Sequence, residues 1–95
     1  MNSRSPVNRH AIAELPGLGP KSAAMLAGAG ITSVAHLKRL GSVRAYAMVR
    51  ATEARASLNL LWALEGALTG LPWQVVAKEH RLSLLLALEA QNGNA

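Results

Sequence analysis

The residues of this chain whose types and spacing suit a definite chemistry lie together in Leu15-Pro16-Gly17-Leu18-Gly19-Pro20-Lys21-Ser22-Ala23. Two glycines one residue apart let the backbone turn with positive φ and leave several N–H groups uncovered. Pro20 suits the first position of a helix, where its missing N–H has no partner to lose, so Gly19 or its neighbour is the expected cap. The first turn then carries Lys21 and Ser22 and no carboxylate, although the helix dipole favours negative charge there by about 0.3–1 kcal/mol. Free amides, a helix start and an ammonium group together make an anion site of the kind that holds phosphate. The alternative is a plain helix–helix turn with a solvated lysine. Other phosphate motifs do not fit: a P-loop needs Gly directly before Lys, where Pro20 stands, and a dinucleotide fingerprint needs a third Gly where Ser22 stands.

No second chemistry competes. The chain has no aspartate and no cysteine, and His10, His36 and His80 fall in separate segments with no metal-ligand spacing. Neither a catalytic constellation nor a metal or cofactor site is expected. The lack of cysteine also excludes disulfides and fits a reducing cytoplasm. No secretory signal is visible, and the apolar runs around Leu58–Leu64 and Leu82–Leu88 are too short to span a bilayer. The expectation is a cytoplasmic protein with no membrane partner.

The net charge of +5 is unevenly placed. Residues 1–55 hold Arg4, Arg9, Lys21, Lys38, Arg39, Arg44, Arg50 and Arg55 against Glu14 and Glu53; residues 56–95 hold Lys78 and Arg81 against Glu65, Glu79 and Glu89. The basic half contains the glycine turn, which points to an anionic partner attracted without regard to sequence. Lys38, Arg39 and Arg44 would add diffuse attraction there, although scattered charge also serves solubility.

These groups need elements to position them. With 51% hydrophobic residues, many of them Leu and Ala, and no Phe, the composition is that of one small helical domain. A polar arm is expected over 1–9, one domain over 10–90 and a frayed tail over 91–95. One helix should run from Pro20 to Ala29, burying Ala23, Leu26 and Ala27, with Gly30 as its stop. A second, capped by Thr32 or Ser33, carries Val34, Leu37 and Leu40 and stops at Gly41. A third, from Val43 to Ala54, has a weak apolar stripe that predicts a surface position with Tyr46 half-buried. The fourth, Leu58–Leu68, is apolar on nearly every face and is therefore the expected centre; Glu65 within it must reach the rim or pair with an arginine. After the turn at Leu71-Pro72-Trp73, with Trp73 as an end plug, a last helix over 77–90 should face inward with Leu82, Leu85 and Leu86. Its further leucines, Leu84 and Leu88, would be free for a partner.

Leu15–Leu26, continued by Gly30-Ile31-Thr32-Ser33-Val34 and Leu37, is similar to the helix-hairpin-helix motif of DNA-binding and DNA-repair proteins. The resemblance implies that Gly17, Leu18, Gly19, Lys21 and Ser22 contact a DNA phosphate without reading sequence. On a larger scale, Asn59-Leu60-Leu61-Trp62-Ala63-Leu64-Glu65-Gly66-Ala67-Leu68 followed by Trp73, together with the glycine turn and Gly30-Ile31, resembles the C-terminal domain of the TfoX/Sxy competence regulators over residues 12–90. That implies an all-α fold of helix-hairpin-helix or SAM-like type, with about five short helices around a central apolar one. It also implies a bacterial, non-enzymatic role in transcription and competence regulation alongside the cyclic-AMP receptor protein. Duplex DNA, a transcription factor, a separate chain bearing the N-terminal domain and a second copy of this chain are the partners to expect. The alternative function is a protein-interaction or oligomerisation module without direct DNA binding.

Overall fold

Short-range backbone chemistry sets the first elements of the computed structural model, which describes residues 12–53 and 55–93. Ile12–Glu14 form a helical turn closed by the Leu15 N–H donating to the Ile12 carbonyl (3.1 Å). The Leu18 N–H then donates to the Leu15 carbonyl (3.0 Å), across Pro16 and a Gly17 at φ +83°. Proline followed by a positive-φ glycine is the type II β-turn. Helix α1, Pro20–Gly28, follows at once. Its far end is closed by the Ile31 N–H on the Leu26 carbonyl and the Gly30 N–H on that of Ala27, a Schellman motif whose two apolar residues, Leu26 and Ile31, are both fully buried. Of the residues expected to face inward, Leu26 does so, Ala23 is half-buried, and Ala27 is exposed.

Helix α2, Val34–Thr52, is two helices joined at a kink. Ser33 caps the first by accepting the His36 N–H (3.1 Å). Gly41 makes the break, at φ 81° and ψ 167°, a backbone region open essentially to glycine alone. The second half differs from the expected surface helix: Ser42, Ala45, Tyr46 and Val49 are all buried. Their i, i+3, i+4, i+7 spacing is a full inward stripe, disguised by a serine and an alanine. Ser42 is accommodated because its hydroxyl donates to Glu65 Oε1 (2.6 Å), which also gives that carboxylate the partner it needs.

Helix α3, Leu58–Thr69, lies at the centre, with Leu60, Leu61, Trp62, Ala63, Leu64 and Gly66 buried. It packs on α2 and on α4, Trp73–Glu79. Helix α5, Arg81–Gly93, packs on α2 and α4, and α1 on α2. No strand occurs among the described residues, and the fold is the expected small all-α bundle. The last helix of the sequence reading is in fact two, broken at His80, and α5 extends past the Ala90 boundary to Gly93. Its inner face is also rotated. Leu84 is buried, and Leu85 and Leu88 pack on the core, whereas Leu82 and Leu86 are 70% and 56% exposed. The arm expected over 1–9 lies outside the described residues.

Candidate functional site

The type II turn delivers the chain into α1 with its polar groups outward. Gly17, Pro20 and Lys21 are exposed, and Gly19 and Ser22 are partly so. Ala23 is the first residue of α1 whose amide is used, on the Gly19 carbonyl (2.9 Å). The amides of Gly19, Lys21 and Ser22 have no acceptor among the described residues, as the geometry of a helix start requires. No side chain caps this end, and its first turn has no acid. Leu18 is placed differently. Its amide is spent on Leu15 and its side chain is 7% exposed within the core, so it anchors the turn and offers nothing to a ligand.

The exposed residues open on a cleft of about 600 Å³ lined by Gly17, Lys21, Ser22, Arg55, Ser57 and Asn59, with Trp73 on its wall. Glu53 is the carboxylate of the same cleft. The second helix start in this cleft is that of α3, whose Ser57 makes no side-chain cap bond and whose first turn has no acid. The connection bearing Arg55 and Ser57 is tied down from inside: the fully buried Tyr46 donates its hydroxyl to the Ala56 carbonyl (2.9 Å) and receives a hydrogen bond from Arg50 Nη1 (3.3 Å). Two helix starts, an ammonium and a guanidinium around one open cavity suit an anion, and Glu53 limits the net charge of its lining to about one positive unit.

Of the residues singled out in the sequence, the structure brings Gly17, Lys21 and Ser22 together in the cleft wall, with Gly19 between them in the chain. Lys38, Arg39 and Arg44 are exposed on α2 and do not line it. Arg55, Ser57, Asn59 and Trp73 are the additions. Ser57 was legible as a helix start, but nothing local places residues 55–59 against residues 17–22; only the packing of the bundle does so. Trp73, expected as a core plug, is 40% exposed.

Among the described residues no group of three or more His, Asp or Glu could hold a metal ion, and no helix is long and apolar enough to cross a membrane. The fold and site together define a small helical domain with an open basic cleft at the turn before its first long helix. The chain belongs to the TfoX C-terminal domain family, whose sequence model matches residues 8–88. Comparison with curated proteins and with solved structures gives no match.

Proposed function

We propose that this TfoX C-terminal domain is a non-enzymatic, DNA-associated module of transcription and competence regulation, acting in the cytoplasm. The turn and α1 serve as a helix-hairpin-helix clamp on the sugar-phosphate backbone: the amides of Gly19, Lys21 and Ser22 and the Lys21 ammonium hold a phosphate, and Arg55 adds a second cation. Lys38, Arg39 and Arg44 contribute attraction from outside the cleft, without direct contact. The observation that carries this reading is the row of amides at the start of α1 with no acceptor among the described residues, beside an exposed lysine that lines an open cleft. With about two to four phosphates neutralised, log affinity for duplex DNA should fall against log salt with a slope of about −2 to −4.

Lys21→Glu provides the test because it moves binding and stability in opposite directions. A carboxylate in the first turn of α1 is favoured by the helix dipole by about 0.3–1 kcal/mol, so the folded protein should become slightly more stable. Duplex affinity should nevertheless drop roughly tenfold, and the salt slope should shrink by about one unit or more. Unchanged, salt-insensitive binding in the variant would remove the proposal.

A second reading, a docking face for another helix from a transcription factor or a second copy of the chain, is favoured by Leu82 and Leu86, both exposed and one turn apart on α5. It leaves binding to the partner indifferent to Lys21→Glu. A mass that stays monomeric across concentration in sedimentation would remove the self-association form of it.

A further inference from the structure

We infer that the cleft takes an unpaired nucleotide of a single strand, its phosphate at Lys21 and Arg55 and its base against the indole of Trp73. The inference rests on the phosphate-binding reading above and adds to it what kind of DNA is preferred. A nucleotide presents a phosphate and a planar base a short distance apart, and this one cavity presents a partner for each. Its volume of about 600 Å³ falls within the roughly 300–1,000 Å³ typical of small-molecule sites.

Trp73 is unusual in its placement. A large aromatic side chain gains most by full burial, yet Trp73 is 40% exposed. It lines the basic cleft and also an adjoining one of about 380 Å³ that runs along Pro16, Gly70 and Leu71. Trp73 thus stands where two open spaces adjoin, with Gly17 also lining both. Its backbone is fixed: a Cβ built on Gly66 would lie 2.5 Å from the Leu71 carbonyl oxygen and 3.4 Å from the Trp73 nitrogen, so the chain at residues 71–73 is pressed directly onto α3. Trp62, by contrast, is inside the core. An accessible indole carried on this closely packed backbone is a stacking surface, and stacking on an aromatic side chain needs a base with a free face. Bases inside a duplex have both faces covered by their neighbours; an unpaired base does not.

The charges agree. Lys21 and Arg55 against Glu53 leave one net positive charge in the lining, matched to the single negative charge of one phosphodiester. A duplex backbone crossing the same cleft would bring several phosphates past Glu53. The carboxylate and the Asn59 amide are instead suited to the hydrogen-bonding edge of a base, the first accepting from an exocyclic amine and the second both donating and accepting.

The test compares a single-stranded oligodeoxynucleotide with a blunt duplex of the same length, read by tryptophan emission and by anisotropy of labelled DNA, for the wild type, Trp73→Ala and Lys21→Glu. The wild type should bind the strand several-fold more tightly than the duplex, with quenching by the strand alone; this readout needs no variant. Trp73→Ala should lose roughly tenfold or more of strand affinity and leave duplex affinity unchanged. Equal binding of strand and duplex without quenching, unaltered in Trp73→Ala but weakened in Lys21→Glu, overturns the inference while leaving the phosphate clamp standing. Absence of binding to either DNA overturns both.

Discussion

Replacing Gly66 by alanine is expected to cost this domain about 3 kcal/mol, at the upper end of overpacking penalties, and to lower the melting temperature by more than about 10 °C. Alanine is the better helix former by about 1 kcal/mol, so propensity alone predicts the opposite sign. The clash decides it. The new Cβ would meet the Leu71 carbonyl oxygen at 2.5 Å, and that atom is backbone, which cannot swing away as a side chain could. The carbonyl is also held in place, because the N–H groups of Gly70 and Leu71 both donate to the Gly66 carbonyl (2.8 and 3.1 Å). Relief requires residues 70–73 to lift from α3, which would move Trp73 and the wall of the cleft with it. Thermal unfolding followed by circular dichroism measures the loss, and a variant as stable as the wild type would refute the close approach.

Truncating Leu84 to alanine should destabilise by about 2–3 kcal/mol, because it removes buried methyl groups and leaves a cavity between α5 and its neighbours. The same change at Leu82, two residues earlier, should stay within about 0.5 kcal/mol. The contrast follows from an exposure of 8% at Leu84 against 70% at Leu82. Chemical denaturation of the two variants checks it, and a larger loss at Leu82 would show α5 rotated from the orientation described. Should Leu82 belong to a docking face, its truncation would change the mass in solution and leave the stability of the monomer alone.

The leucines of α5 also show where sequence reading runs out. Leu82, Leu84, Leu85, Leu86 and Leu88 are leucine on nearly every side, so periodicity cannot choose which side faces in; the choice is made by the helices it meets. The second half of α2 failed for the opposite reason. Its buried stripe begins with Ser42, and a serine reads as solvent-facing until the Glu65 carboxylate, 23 residues further along the chain, is known to be its partner. What was legible was written in local backbone chemistry: Pro16 and Gly17 for the turn, Pro20 for the start of α1, Ser33 and Gly41 for the limits of the next helix, and Gly70 for the end of α3. The cleft was half legible. Gly17, Lys21 and Ser22 fall within one short stretch, but Arg55, Ser57, Asn59 and Trp73 reach it only through the packing of the bundle, and no local pattern carries that information.

Gly19, Lys21 and Ser22 have amides that a phosphate could take, and Leu18, their neighbour, has one already committed to Leu15. Amide chemical shifts recorded while DNA is added read those four groups separately in one experiment. The largest movements are expected at Gly19, Lys21 and Ser22, diminishing as salt is raised, with Leu18 nearly still. Silence at those three amides, with any shifts confined to the outer face of α5, would contradict it.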